Sequence, residues 1–448
     1  MFCNPLEGYD GRGECRKGVS MESSTILRKL RSTFPALTHR NFRLFFVGQC
    51  VSLIGTWMQN IGQAWLVLQL TSGQADAPFK LGLVSALQFL PMMLFSLFAG
   101  TLVDRFPKRS VLIVTQSSLA VLAAVLATIT ALGIARYWHV LVLALLLGVV
   151  QTLDMPTRQS FFVELVGKKD LMNAIGLNST LFNLARILGP AVAGLLISLV
   201  GIAACFYLNA ASFLAVIAGL ALMRIPRTKE PRPVERTLGT VLLDIREGLD
   251  YVRHVPAILY PLLLLAILST FVINFNVLVP IFATQNLGQE AAGYGLLMTS
   301  LGLGSFLGAL RITTRSGSGA RFSVLLGGAA GMCILLPVLG FVRSYPLACL
   351  TLLCIGFCTI SFTTLVNTKI QLTTEDRMRG RVMSLFSLVF GGVIPIGSLY
   401  AGKLTEVAGA TGCMLVSGAI GFVGTLFIAW KLRKALRPEQ QPLVQSNP

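Results

Sequence analysis

The sequence predicts an all-α membrane protein, with twelve transmembrane helices arranged as two pseudo-symmetric six-helix bundles. Three observations carry this reading. The chain of 448 residues is 54% hydrophobic and only 12% charged, with a mean hydropathy of +0.73. A soluble domain needs about twice that charged fraction to cover its surface, so most of this surface must face lipid. Apolar runs of roughly 20 residues, the length that crosses a hydrocarbon core about 30 Å thick, recur along the whole chain. The order of landmarks also repeats: Gly100, Asp170 and Pro190 are matched by Gly308, Asp376 and Pro395, each roughly 205 residues further on. An internal repeat with Gly/Pro interruptions at mid-span points to a secondary transporter whose site lies between the halves.

Residues 1–40 are polar and basic and contain no apolar stretch, so no secretory signal is expected there. The part before about Leu27 is expected to be disordered, and Met21 is an alternative start. The first bundle, 41–223, holds spans at 42–68, 80–103, 110–132, 138–154, 173–200 and 205–223. A linker at 224–256 is the one long polar break in the apolar body, with an amphipathic turn around Asp244–Tyr251. The second bundle, 257–432, holds spans at 257–283, 291–311, 322–342, 346–371, 381–402 and 411–431, followed by a tail at 433–448. The 43 glycines suit helices that pack closely in lipid.

The net charge of +18 comes from bases scattered over many short loops rather than from a patch that would bind nucleic acid. One side of the membrane collects about 31 Lys and Arg, and the other about four. The excess marks the cytoplasmic side and places both termini there.

Polar residues inside the spans mark the candidate cavity. Gln49, Ser52, Thr56, Gln59 and Gln63 follow one another at three- and four-residue steps, so they share one face of the first span. A polar stripe against lipid is expensive, so this one faces either a cavity or another helix. Asn60 flanks it, and Asn274 and Asn276 hold the equivalent place in the second half. Arg186 sits about 13 residues into the fifth span with no acid within a helical turn, and Asn183 accompanies it. It either marks a substrate pathway or is a structural arginine reaching through the cavity to water. No Asp or Glu lies at mid-span, so the sequence names no proton carrier. No metal-spaced His/Asp set, nucleophile elbow or phosphate loop argues for an integral-membrane enzyme.

The loop after the second span carries Gly100, Asp104, Arg105, Lys108 and Arg109. A glycine, then Asp-Arg, then a basic pair resembles the signature of the major facilitator superfamily. In a gate of this kind Asp104 can face the positive end of a helix across the half–half interface. The bases can pair with an acid on a neighbouring span, for which Asp154 is the candidate. Arg379 and Arg381, before the eleventh span, are counted with this gate. The second-half counterpart, GALRITTR, keeps the glycine and the bases but lacks the acid.

The segments RNFRLFFVGQCVSLIGTWMQ, DMPTRQSFFVEL, NSTLFNLARILGPAVAG, RMRGRVMSL and GGVIPIGS resemble one bacterial exporter branch of that superfamily. The branch includes the enterobactin exporter and macrolide-efflux-like proteins, and the likeness covers about residues 38–432. It implies export of a small amphiphilic molecule (a siderophore, drug or secondary metabolite) across the inner membrane. Gly189 and Pro190, with Gly194, resemble the motif of drug antiporters and imply proton antiport. Together with Pro395 they are read as helix breaks. A carrier of lysophospholipids is the alternative. The expected partners are a small-molecule substrate, the lipid bilayer and protons, with a monomeric state, no nucleic acid and no cofactor.

Overall fold

A computed structural model describes residues 34–103, 105–224, 238–314 and 322–435. The expected disorder before Leu27, the Met21 start, most of the tail and Asp104 lie outside the described residues. Among these residues every regular element is helical. A short 3₁₀ turn, Pro35–Thr38, leads into α1 (Arg40–Leu70), α2 (Ala77–Val103) and α3 (Lys108–Ala131). Then come α4 (Tyr137–Leu199) and α5 (Ile202–Leu222). The linker helix α6 (Leu238–His254) precedes α7 (Pro256–Phe271), α8 (Phe275–Gln285), α9 (Ala291–Thr314), α10 (Phe322–Phe341) and α11 (Tyr345–Thr373). The chain closes with α12 (Arg379–Gly391) and α13 (Ile394–Ala435).

These elements accommodate twelve crossings. Nine helical stretches among the described residues are long and apolar enough to span a membrane. Two of them, Tyr137–Leu199 with 63 residues and Arg379–Ala435 with 57, are each far longer than one crossing needs. Each turns at a glycine: Gly167 has φ 69° and ψ 176°, and Gly409 has φ 70° and ψ 172°. Only glycine occupies that part of backbone space at low cost. The remaining crossing is α1, 31 residues long, whose polar stripe lowers its hydropathy.

Three boundaries differ from the sequence reading. The loop expected between 154 and 173 is helix on both sides of Gly167, because Lys168 and Lys169 extend into water from a helix as readily as from a loop. The amphipathic turn in the linker is a helix of 17 residues, α6. The seventh span is two helices, α7 and α8, parted at Val272–Asn274. Pro280 cannot donate to the Asn276 carbonyl one turn back, and the Asn274 side chain donates to the Thr270 carbonyl over 2.8 Å.

Helices α1–α5 form one bundle and α7–α13 the other; α2 packs on α13, and α4 on α9, across the join. The known contacts across this join lie from mid-span toward the face opposite the termini. A methyl on Gly402 would stand 2.8 Å from the Pro78 carbonyl, one on Gly295 2.5 Å from that of Pro190, and one on Gly194 2.9 Å from that of Ala291. The Trp65 and Tyr294 rings stack there with centroids 6.2 Å apart. Toward the terminal face the same surface of α4 is open: Met172, Ile175 and Ser179 are exposed. The outer belt is apolar, with Val47, Val121, Leu199 and Leu426 among its exposed residues.

Candidate functional site

Where the halves meet, α1, α2, α8 and α9 line a narrow cleft of about 40 Å³ that opens to solvent. Its walls are of two kinds. Trp57, Phe89, Tyr294 and Met298 supply flat or polarisable apolar surface, and Asn60, Gln63, Gln88 and Asn276 supply amides. Gln63 Nε2 donates to Gln88 Oε1 over 3.0 Å, which ties α1 to α2 at the cleft wall. None of the lining residues carries a charge. Such walls can take rings by stacking and hold polar substituents with neutral hydrogen bonds.

The polar stripe of α1 divides between the two surfaces open to it. Gln63 and the flanking Asn60 reach the cleft. Gln49, Ser52 and Gln59 are buried; Gln49 is bonded by Arg158 on α4 and Gln59 by Asn209 on α5. Thr56 donates to its own helix at the Ser52 carbonyl over 2.9 Å. In the second half Asn276 is at the cleft, while Asn274 is buried beside Gly397 of α13.

Arg186 lies in α4 beyond Gly167. Phe182 and Gly189 mark the side of that helix turned to α1: the Phe182 and Trp57 ring centroids are 5.8 Å apart, and Gly189 abuts the Trp57 side chain. The side turned to α9 is marked by Ile187, whose carbonyl accepts from Thr299 Oγ1 at 3.2 Å, and by Pro190 and Gly194 against Gly295. Arg186 projects between these two sides. Met172, Ile175 and Ser179 continue its line toward the terminal face and are exposed, while Pro190 and Ala193 continue it the other way and are buried. Its guanidinium has no hydrogen bond or ion pair with any described residue. Asn183 is bonded to the Ser179 carbonyl of its own helix over 2.8 Å. The helix runs through Gly189 and Pro190 without interruption. Proline removes the donor owed to the Arg186 carbonyl, and Gly302 of α9 packs directly against that carbonyl. Pro395 stands at the start of α13, just past the gap that separates it from α12.

The gate residues take partners other than those expected. Asp154 is buried, at 4% exposure. Its Oδ1 accepts from Thr115 Oγ1 and Gln116 Nε2, each at 2.7 Å, and its Oδ2 from Arg158 on the next turn. It does not meet the bases of the loop motif, because Arg158 is nearer and α3 already brings two neutral donors. Lys108 pairs instead with Glu164 across 2.8 Å, and Arg109 donates to the Leu220 and Ala221 carbonyls at the end of α5. Arg105 is exposed, and Gly100 lies within α2. Arg379 pairs with Asp376 across 2.6 Å, and Arg381 with Glu247 of α6 across 2.6 Å.

Residues 31–447 match the family described as transmembrane secretion effector. The chain belongs to that family, within the major facilitator superfamily. This chain is 28% identical to the multidrug efflux pump Tap of Mycolicibacterium fortuitum over 77% of its own length and 84% of that protein's. It is 26% identical to the staphyloferrin A transporter of Staphylococcus aureus, over 84% and 92% of the two chains. Among solved structures it overlays a bacterial homologue of the human lysosomal transporter Spinster, captured inward-facing and unoccupied. The TM-score is 0.69 at 13% identity, covering 90% of this chain and 99% of that one, which speaks for the fold alone. The protein is thus a multi-pass membrane transporter of the efflux type and not an enzyme.

Several of the site residues escaped the sequence reading. Gln88 is a lone amide inside an apolar span, and that was the available signal. Tyr294 and Met298 look like ordinary span residues, and Arg158 reads as one more base near a span end. The fold brings the first three to one cleft and sets Arg158 against Asp154 and Gln49.

Proposed function

We propose that this protein carries a small amphiphilic organic molecule, of the drug, siderophore or secondary-metabolite kind, from the cytoplasm outward across the inner membrane. It does so as a monomer, by alternating access in exchange for protons, with both termini on the cytoplasmic side. The observation that carries this reading is the amide- and aromatic-walled cleft between the halves. It is packed shut toward the face opposite the termini, and the helix line leading to it is exposed toward the terminal face. A carrier that loads from the terminal side has this form. The excess of bases on the terminal side supports calling it cytoplasmic. The named activities of the two relatives, multidrug efflux and staphyloferrin A transport, support export of mid-sized organic molecules.

The test is uptake of a fluorescent amphiphile into everted membrane vesicles, with a pH difference imposed as the sole gradient. The expected result is accumulation against the dye's own gradient, lost on adding nigericin and lost in a Trp57→Ala variant that is still inserted. Uphill accumulation that persists after nigericin removes the proton-exchange reading. Accumulation unaffected by Trp57→Ala removes the cleft as the transport site.

A further inference from the structure

The cleft has a neutral lining, yet Arg186, on the helix that packs against the Trp57 wall of it, has no partner among the described residues. We propose that Arg186 is a substrate-binding residue that holds one anionic group of the cargo, a carboxylate, sulfonate or phosphate, while an aromatic part of the same molecule lies against Trp57 and Tyr294. This deepens the reading of the cleft as the transport site and rests on it.

Position is the first support. Phe182 and Gly189, one turn to either side of Arg186, both touch Trp57, and Trp57 lines the cleft. Arg186 therefore projects into the groove between α1 and α9 beside that indole. The line of exposed residues from Met172 reaches it from the terminal face, and the next residues on that line, Pro190 and Ala193, are buried. Arg186 thus sits at the depth where an entering molecule stops.

Charge is the second support. A guanidinium at mid-span is costly, and in membrane proteins such groups pair with an acid, with backbone carbonyls or with something in a water-filled cavity. Arg158, a half-buried base of the same half, follows the rule with Asp154 and Gln49. Arg186 has no such protein partner among the described residues. The Arg186 carbonyl, freed by Pro190, is packed against Gly302 of α9, so the backbone is fixed while the side chain is left available. Five donors in a planar fork suit a carboxylate, sulfonate or phosphate better than any neutral acceptor. Two of the four amides at the cleft wall, Gln63 and Gln88, already bond each other, and none of the four adds charge.

The experiment uses two probes with one aromatic frame, 1-anilinonaphthalene-8-sulfonate and its uncharged relative N-phenyl-1-naphthylamine. Binding is measured by equilibrium dialysis against the full-length protein in nanodiscs, with empty nanodiscs subtracted. The wild-type protein is expected to favour the sulfonate by about 10- to 100-fold, the factor a charge-assisted hydrogen bond supplies. Arg186→Gln should abolish that preference while leaving the neutral probe within about twofold of wild type, and Arg186→Lys should keep part of it. Equal affinities for the two probes on wild-type protein overturn the assignment without needing any variant to fold. So does an unchanged preference in Arg186→Gln. If the neutral probe also ignores Trp57→Ala, or neither probe binds, the cleft reading itself has failed and the assignment falls with it.

Discussion

Asp154 shows how far the partners of one side chain can differ from those its sequence context suggests. Near a span end, with a basic motif close by, it looks like the acid of a gate. In the fold it is enclosed by Thr115, Gln116 and Arg158, and the Arg158 guanidinium also holds Gln49 of α1. All these groups belong to one half, so the network holds α1, α3 and α4 together and does not report on the join between halves. Asp154→Asn removes the charge and leaves Arg158 buried without its counter-ion, a loss on the order of 3 kcal/mol in such pairs. The purified variant should unfold several degrees lower than wild type in a thermal scan. Neutralising Arg158 as well, in Asp154→Asn/Arg158→Gln, should recover part of that loss. A single variant as stable as wild type, with transport abolished, would return Asp154 to the gate.

Among the elements, α4 carries the most consequence, because its two arms serve different contacts. The first arm packs on α2, with Gly148 against the Gln88 backbone, and the second brings Arg186 and Pro190 to α9. Gly167 alone sets the angle between them, at a φ of 69° paired with a ψ of 176°. Gly167→Ala is expected to cost about 1–3 kcal/mol from backbone strain, although nothing lies within 4 Å of the added methyl. Its thermal midpoint should drop while Gly176→Ala, on the same arm in ordinary helical geometry, leaves it nearly unchanged. Equal midpoints for the two variants would mean the joint re-forms without a glycine. The sequence reading missed this joint for a physical reason. Hydropathy reports which residues enter lipid, and Lys168 and Lys169 leave it whether the backbone there is coil or helix. The same limit hid the break between α7 and α8, where the residues stay apolar across the change. The stripe on α1 was readable because helical spacing is local. Its partners were not, because Asn209 and Arg158 come from helices more than a hundred residues away in the chain.

At the scale of the whole molecule, two bundles meet along seams of small residues on one side of a neutral cleft, and the charge nearest that cleft among the described residues is Arg186. That feature has an electrical consequence. A carrier that releases a cation while admitting a proton moves no net charge, so the membrane voltage cannot drive it. A carrier whose cargo is an anion held by Arg186 moves negative charge out while a proton comes in, and the two displacements add. Each elementary charge crossing 100 mV is worth about 2.3 kcal/mol, which is roughly a 50-fold concentration ratio. In proteoliposomes with no pH difference, a potassium diffusion potential set by valinomycin should therefore drive transport of the naphthalene sulfonate at a rate that rises with the voltage and reverses with its sign. A flux of that anion indifferent to the voltage would mean that compensating positive charge leaves with it, or that the protein does not carry it as an anion. For a cell whose interior is negative, the difference is practical: an exporter of anions draws on the resting potential even when the two sides of the membrane share one pH.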